Sequence, residues 1–381
     1  MKKMHLALWG LLTGVTLLWM FTDTFVPQPL TYFSFRNVFV QYTGIIAIIV
    51  MSVAMVLALR LPVFNKLFGG LDKAYKLHKW LGITALVFAV VHWWWAQGTK
   101  WMVGWGWLAR PSRPARAEIE NQFILWLNSQ RAIAEQVGEI AFYLILILIV
   151  IALVKIIPYH IFRKSHKLLA PLYLLQVYHS IVLTNVDYWA EPIGITCMLF
   201  MSVGSIAAVI DLRGRIGAKR KVKGKITQIN TIKEIDVMVV TVKVDQAWQQ
   251  HCAGQFAFVT SKQSEGAHPY TIASAWDKQT SELTFMIKAL GDWTSQLNEW
   301  LKVDMPVAIE GPYGQFNFND RCTRQIWVGA GIGMTPFIAK MKERAKTPCT
   351  TPVDLFLCTQ LENKQTLNKM QQIAHDAGVT L

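Results

Sequence analysis

Four histidines in or beside long apolar stretches are the strongest candidates for metal ligands in this sequence. His78 and His92 are fourteen residues apart, and His166 and His179 are thirteen apart. A polar side chain within a membrane span is costly and usually functional, so two matched pairs are hard to attribute to packing. With a helical rise of about 1.5 Å per residue, the two members of each pair lie about 20 Å apart.

These spacings predict two metal centres at two depths. If both stretches run in the same direction, His78 and His166 share one depth, and His92 and His179 share the other. One imidazole from each helix can then hold each iron of two stacked haems, which leaves no open coordination position and suits electron transfer. Fourteen residues return a side chain to within about 40° of its starting face, but thirteen do not. Pro171 lies between His166 and His179 and can kink the helix and change this phase.

Other interpretations of the histidines stay open. The four could be interfacial or hydrogen-bonded, or they could relay protons in a haem-free transporter or channel. His160, in the preceding basic loop, is not chosen as a ligand, and His5, His251 and His375 are interpreted as ordinary histidines.

Six apolar stretches must position these histidines, since each is long enough to cross a hydrocarbon core of about 30 Å. They are residues 6–21, 39–59, 77–96, 140–157, 168–184 and 192–212. One histidine pair belongs to the third stretch and the other to the fifth, and odd-numbered spans run in the same direction. The basic start has no small-x-small cleavage site after its apolar run, so the first stretch is predicted to be an uncleaved helix.

The formal charge of +14 lies mainly in the short segments between the apolar stretches. Residues 60–79, 155–167 and 213–225 are rich in Lys and Arg, which is the positive-inside pattern of a multi-pass protein. This placement argues against nucleic-acid binding and predicts contact with membrane lipid in the cell (inner) membrane. The N-terminus and the region after residue 213 are then cytoplasmic.

The long segment between the third and fourth stretches, residues 97–138, is the exception to this pattern. Its Arg110, Arg113 and Arg116 either attract an anionic ferric chelate or are solvated loop charges, and the second interpretation is favoured. Its tryptophans are typical of an interfacial belt.

None of the five cysteines forms a CxxC pair, so neither a zinc site nor a disulfide framework is predicted. Four of them fall in the second half, which fits a reducing cytoplasm. Cys358 follows a predicted strand and either lies near a nicotinamide or has a structural role.

After residue 213, short alternating stretches such as 225–230, 236–244 and 281–288 predict an antiparallel sheet or small barrel. A flavin requires an aromatic wall, a hydroxyl for its ribityl or ring atoms, and donors for its pyrophosphate. Tyr270 and Thr271 of the HPYTIAS segment, and the turn from Lys288 to Thr294, are candidates for these roles. Further on, GPYG occupies residues 311–314.

A glycine-rich turn, GAGIGMTP, occupies residues 329–336 between a predicted strand (325–328) and a predicted helix (336–345). A strand at 353–358 and a helical stretch at 361–377 complete a βαβ unit, which predicts a parallel nucleotide-binding sheet. Glycines let the backbone approach a pyrophosphate closely, and the helix N-terminus favours its charge.

The order of these features resembles the ferric reductase and NADPH oxidase superfamily over essentially the whole chain. The resemblance implies two bis-histidine b-type haems on His78, His92, His166 and His179, with the same spacings. It implies FAD and NADPH or NADH as further cofactors. The predicted FAD residues are His268, Pro269, Tyr270, Thr271, Ser274, Lys288, Gly291 and Thr294. The predicted nicotinamide dinucleotide residues are Gly329, Gly331, Gly333, Thr335 and Pro336, with Cys358 nearby.

The resemblance also implies a multidomain fold and an activity. Residues 1–215 are expected to form a six-helix transmembrane di-haem bundle, 216–319 an antiparallel FAD-binding β-barrel, and 320–381 a shortened α/β Rossmann-like NAD(P) lobe. The implied enzyme is an NAD(P)H-dependent oxidoreductase that reduces a ferric chelate or dioxygen outside the membrane. The family's late Cys-Gly-Pro motif is not found before residue 381, and Gln360 stands where an arginine would favour NADPH. A haem-bearing scaffold or electron relay without nicotinamide chemistry is therefore an alternative.

Overall fold

The structure, a computed structural model, describes residues 2–109, 121–154, 156–318, 322–347, 349–359 and 364–381. Its helices are α1 (Lys2–Met20), α2 (Tyr32–Ala58), α3 (Pro62–Phe68), α4 (Leu71–Trp93), α5 (Thr99–Gly104), α6 (Gln122–Leu153), α7 (Tyr159–Lys167), α8 (Leu169–Leu183), α9 (Pro192–Leu212), α10 (Asp292–Trp300), α11 (Thr335–Lys346) and α12 (Lys364–Asp376). Its strands are β1 (Lys221–Ile232), β2 (Val237–Val244), β3 (Phe256–Thr260), β4 (His268–Thr271), β5 (Glu282–Lys288), β6 (Pro306–Tyr313), β7 (Gln325–Ala330) and β8 (Val353–Cys358). The chain divides into two units, Met1–Phe64 with Asp72–Ile216, and Asn65–Leu71 with Gly217–Leu381.

Within the described residues of the first unit, four helical segments are long and apolar enough to cross a membrane. They are Tyr32–Ala58, Leu71–Gly104, Gln122–Leu153 and Pro192–Leu212. The other two predicted spans correspond to α1, which starts with two lysines, and to α8, whose 15 residues reach only about 22 Å. The number of six spans therefore stays a prediction.

The predicted fifth span, residues 168–184, corresponds to the single helix α8, and His166, which was expected to belong to that span, lies before it on a separate helix. His166 lies on the short helix α7, which ends at Lys167, and α8 begins at Leu169. Pro171 has no backbone N–H to donate to the carbonyl of Lys167, and its ring crowds that carbonyl, so a continuous helix is disfavoured here. The break changes the phase between His166 and His179, as the thirteen-residue spacing required.

Close packing of α8 against α2 and α9 depends on one tyrosine. Tyr173 of α8 is only 1% exposed, and its hydroxyl shares a hydrogen bond of 2.8 Å with that of Ser52 on α2. A Cβ at Gly204 of α9 would overlap the Tyr173 hydroxyl. The three helices therefore approach each other around a buried polar contact, and such contacts are typical of small-residue helix interfaces in membranes.

The second unit contains a six-stranded antiparallel sheet with the order β4-β3-β6-β1-β2-β5. Strict alternation in β5 buries Leu283, Phe285 and Ile287 on one face, as the period of two requires. An isolated bridge pairs Ile272, just after β4, with Phe285 of β5. The ends of the two edge strands therefore approach each other at this bridge, and a closed barrel stays a prediction.

A parallel pair, β7 and β8, follows in the same unit. Trp327, Leu355 and Met341 are among the buried side chains that pack the pair against α11 and α12. Thr380 adds a parallel bridge to Asp354 of β8. The predicted strand, turn, helix and strand are thus present in the expected order.

Candidate functional site

The structure brings the four histidines together in the two predicted pairs. The ring centres of His78 and His166 are 5.9 Å apart, with ring planes at 63°. Those of His92 and His179 are 6.3 Å apart, with ring planes at 81°. Each pair therefore joins the α4 segment to the α7–α8 segment.

Backbone carbonyls orient three of the four imidazoles. The Nδ1–H groups of His78 and His92 donate to the carbonyl oxygens of Ala54 (2.9 Å) and Val40 (3.0 Å) on α2. The Nδ1–H of His179 donates to the carbonyl oxygen of Ala134 on α6 at 2.8 Å. Because a carbonyl can only accept, each of these rings carries its proton on Nδ1, which leaves Nε2 with a lone pair.

This arrangement fits a metal held between the rings of each pair. A metal–imidazole nitrogen bond is about 2 Å long, and the ring centre lies about 1 Å further, so two imidazoles on opposite sides of one metal have centres about 6 Å apart. Ligating histidines typically donate their second N–H to a backbone carbonyl or carboxylate. His166 is the exception, since its buried Nδ1 has no hydrogen-bond partner among the described residues. Each pair offers two imidazole nitrogens, and this donor set would suit an iron whose remaining ligands come from a porphyrin.

Glycines make room for the second pair of rings. A Cβ at Gly138 of α6 would overlap the His179 ring, and a Cβ at Gly44 of α2 would lie 3.1 Å from Cε1 of His92. A cavity of about 670 Å³ is lined by both histidines and both glycines. This volume lies within the range of small-molecule and cofactor sites.

The predicted flavin segment forms an aromatic stack on β4. The rings of His268 and Trp293 are 5.3 Å apart and nearly parallel, and those of His268 and Tyr270 are 6.5 Å apart. Burial raises the pKa of the Tyr270 hydroxyl to about 12, and the Trp293 indole opposes this. Tyr270 and Trp293 can thus provide an apolar aromatic surface. Trp293 was not among the predicted flavin residues, although it lies in the predicted 288–294 turn.

Two predicted flavin residues have structural contacts of their own. The Thr294 hydroxyl accepts hydrogen bonds from the backbone N–H groups of Leu290 (3.0 Å) and Gly291 (3.1 Å) and so shapes the start of α10. The Ser274 hydroxyl accepts from the Thr284 N–H at 3.1 Å. The remaining candidates, Pro269, Thr271 and Lys288, lie on or at the end of β4 and β5. Their roles toward a flavin stay predictions.

His251 is a buried histidine that sequence reasoning had interpreted as ordinary. Its Nε2–H donates to the carbonyl oxygen of Ser274 at 3.0 Å, and the Trp248 indole N–H donates to its Nδ1 at 3.5 Å. Burial lowers the pKa of His251, while the Ser274 carbonyl and Glu343 oppose this shift. Protonation would place a second N–H against the Trp248 donor, so the neutral ring holds the end of the HPYTIAS segment.

We expect the chain to become less stable as the pH falls below about 6.5, the ordinary pKa of histidine. The unfolded state then binds a proton at residue 251 that the folded state resists, so stability present above this pH is lost as the pH falls toward the lowered folded-state pKa. Melting of the second unit, followed by tryptophan fluorescence, should occur at a lower temperature at about pH 5.5 than at about pH 7.5. His251→Gln should reduce this difference, and an equal difference in the variant would contradict the assignment.

The glycine-rich turn lies between β7 and α11 as predicted. Gly329 ends up within β7, where a Cβ would overlap the Met334 sulfur, and Gly331 has a φ of +50°. The Thr335 hydroxyl donates to the Ile332 carbonyl at 2.7 Å, so it stabilises the turn itself. Pro336 occupies the first turn of α11, where its missing N–H costs nothing.

Cys358 ends β8 directly beside Ala330. Since the carboxyl ends of parallel strands share one edge of a sheet, this exposed thiol lies on the same edge as the glycine-rich turn. Arg110, Arg113, Arg116 and Gln360 fall outside the described residues, as does the side chain of His160.

Two matches to known protein families cover most of the sites just described. Residues 43–177 match the family "Ferric reductase like transmembrane component", and residues 221–317 match "FAD-binding domain". The first match includes His78, His92 and His166 and ends two residues before His179. The second includes the HPYTIAS segment and Thr294. The glycine-rich turn lies beyond both.

Curated proteins from Arabidopsis thaliana give the same assignment. "Probable ferric reduction oxidase 1" is 23% identical over 331 residues, which is 81% of this chain and 42% of that protein. "Respiratory burst oxidase homolog protein E" is 24% identical over 217 residues, which is 50% of this chain and 22% of that protein. The chain thus spans less than half the length of these relatives.

Ferredoxin-NADP+ reductase from Plasmodium falciparum is similar in structure, at 16% identity and a TM-score of 0.36, over 42% of this chain and 69% of that chain.

The transmembrane and flavin-domain matches occur in one chain and in the order that the sequence predicted. Relatives of both the ferric reduction oxidase and respiratory burst oxidase kinds align with it. The chain belongs to the ferric reductase and NADPH oxidase superfamily.

Proposed function

We propose that this chain is a transmembrane oxidoreductase that passes electrons from NADPH or NADH, by way of FAD and two b-type haems, to ferric iron or dioxygen outside the membrane. One observation carries the proposal: two imidazole pairs have ring centres 5.9 Å and 6.3 Å apart. In three of the four rings, the Nδ1–H group donates a hydrogen bond to a backbone carbonyl oxygen.

Residues of the first unit would hold the two haems and orient the imidazole rings that bind them. His78 with His166, and His92 with His179, would hold the irons of the two haems. The carbonyls of α2 and α6 keep Nε2 available by fixing the proton on Nδ1, which also makes each ring a better ligand. Apolar residues such as Ile48, Ile145 and Ile149 line the cavity beside the second pair and would contact the apolar face of a porphyrin there.

The second unit's residues would bind two nucleotide cofactors. Tyr270 and Trp293 present an aromatic surface for the flavin ring, and the start of α10 offers backbone N–H groups for phosphate. The glycine-rich turn before α11 offers the same for the nicotinamide nucleotide. When bound, these cofactors would supply transfer of a hydride, release of its two electrons one at a time with its proton left to solvent, and carriage of the electrons.

The orientation of the chain in the membrane is proposed from the positions of its basic segments, and the electron acceptor is proposed from its similarity to named relatives. The basic segments favour an N-terminus and a second unit on the cytoplasmic side of the cell membrane. The relatives' names include both a ferric reduction oxidase and a respiratory burst oxidase, so ferric chelates and dioxygen are the two acceptors to compare.

The proposal is tested by mixing the purified chain, without oxygen, with NADPH or NADH and recording the haem bands. We expect a Soret band and its shift to the reduced position, followed by reoxidation when ferric citrate or dioxygen is admitted separately. Absence of a Soret band would favour a haem-free histidine proton relay. A Soret band that dithionite shifts, but neither nucleotide does, would favour a haem-bearing scaffold or relay.

A further inference from the structure

The cavity beside His92 and His179 is lined by two basic side chains from different segments. Lys100 lies on α5, which continues the His92 helix, and Arg131 lies on α6, one turn before the Ala134 carbonyl that orients His179. Both side chains are largely exposed, at 58% and 60%. They therefore lie where the cavity meets solvent.

Both cations turn toward the same carboxylate. Arg131 Nε is 3.2 Å from Glu135 Oε1, and Lys100 Nζ is 3.9 Å from Glu135 Oε2. Glu135 also lines the cavity. A carboxylate group therefore fits between Lys100 and Arg131, and the chain's own side chain occupies that place.

The other charged residues described as lining the cavity each have a hydrogen-bond partner of their own, and Arg36 also interacts electrostatically with Glu135 and Arg131. Asp23 accepts from the Tyr188 hydroxyl, and Glu139 accepts from the Tyr143 hydroxyl at 2.9 Å. Arg36 donates to the carbonyl oxygen of Trp95 at 3.2 Å. Lys100, Arg131 and Glu135 together carry one net positive charge, because two cations share one carboxylate, whereas Asp23, Arg36 and Glu139 keep their own charges elsewhere in the lining.

The contact with Glu135 is also easily exchanged. Exposed ion pairs contribute only about 0–1 kcal/mol, because water screens them and two long side chains must be ordered. Another carboxylate that binds at the same place can therefore replace Glu135 at little cost. An incoming group with two carboxylates would gain more from the two cations than one side chain does.

We propose that Lys100 and Arg131 form a carboxylate-binding site at the solvent end of this cavity, with Glu135 as its built-in competitor. This inference rests on the proposed function. The carboxylate has two possible sources: a propionate of the haem held by His92 and His179, or the acid groups of a ferric chelate such as citrate. The chemistry of recognition is the same, and the two sources are separated by experiment.

The variants are Lys100→Gln, Arg131→Gln and Glu135→Gln, with Lys66→Gln as a control that removes an exposed positive charge outside the cavity lining. In the first arm, haem loss from the full-length chain to excess apomyoglobin is followed by the Soret band. In the second arm, dithionite-reduced protein is mixed with ferric citrate or dioxygen, and reoxidation is measured against acceptor concentration. Neither arm requires the nicotinamide site.

If the source is a propionate, Lys100→Gln and Arg131→Gln should each accelerate haem loss about two- to fivefold. If it is a chelate, each should raise the half-saturating ferric citrate concentration by about the same factor and leave reoxidation by dioxygen unchanged. In either case Glu135→Gln should act in the opposite direction, since it removes the competitor. That reversal cannot arise from general damage to the fold.

The inference would be overturned if all four variants lost haem at the same rate and were reoxidised with the same dependence on acceptor concentration, provided that the parent protein shows its haem bands. It would also be overturned by equal changes with ferric citrate and dioxygen at unchanged haem retention, or by a Glu135→Gln effect in the same direction as the other two. A parent protein without haem bands would instead contradict the proposed function.

Discussion

We expect His92→Leu to lose one of two haems and to keep the other. Leucine has no nitrogen, so an iron held by residues 92 and 179 would lose one of its two imidazoles, whereas the His78 and His166 pair is untouched. The haem-to-protein ratio of the purified variant, measured as the pyridine haemochrome, should fall from about two to about one. Transfer of electrons to any external acceptor should fall by orders of magnitude.

Two further variants make this result specific. His375→Leu removes an exposed histidine of α12 and should leave the haem content unchanged. Gly138→Leu keeps all four histidines, but its side chain would occupy the space of the His179 ring, so it should lose the same haem as His92→Leu. An unchanged ratio in His92→Leu would show that the pair is not a ligand pair.

The pairing of the histidines was predictable because it depends on helix periodicity and span direction, both of which a sequence records. The groups that orient the rings were not predictable. Ala54, Val40 and Ala134 act through their carbonyl oxygens, and every residue has one. Gly44 and Gly138 did leave a signal, since a glycine in an apolar helix often marks a close approach.

The division between α7 and α8 shows that a single proline predicts an irregularity in a helix but not its position. Pro171 predicted a change of phase, but the break itself lies at Leu168. The helix α7 was missed because it lies in a basic segment that had been interpreted as a loop. Its Phe162 packs against the His166 ring at 5.0 Å between ring centres, and this contact depends on the fold around it.

In the second half, strand positions were predictable and polar contacts were not. Alternation predicts β2 and β5 to within one residue of their bounds, because one face of each strand is buried. The βαβ pattern predicts the bounds of β8 as observed. The helix α10 was missed, since its start depends on the Thr294 hydroxyl and the backbone before it. Side chains that had been selected for a flavin thus also stabilise local structure.

We expect Gly331→Ala to slow reduction of the haems by NADPH or NADH about tenfold while dithionite reduces them as before. Gly331 has a φ of +50°, and a Cβ there meets nothing within 4 Å. The penalty therefore comes from the backbone, where a left-handed conformation costs an L-residue about 1–2 kcal/mol. To relieve it the turn must change shape and carry its N–H groups away from the pyrophosphate position. Anaerobic stopped-flow reduction by each nucleotide measures the effect.

Gly378→Ala is a matched control for this prediction, because it carries the same strain in the same lobe without touching the turn. Gly378 follows α12 with a φ of +62°, and a Cβ there also meets nothing within 4 Å. Both variants should lower the melting temperature of the second unit by similar amounts, and only Gly331→Ala should slow reduction by a nucleotide. Equal slowing in both would mean that strain anywhere in the lobe is enough, and no slowing in either would mean that the nucleotide does not bind at this turn. The comparison therefore separates the stability of the lobe from the chemistry assigned to residues 329–336.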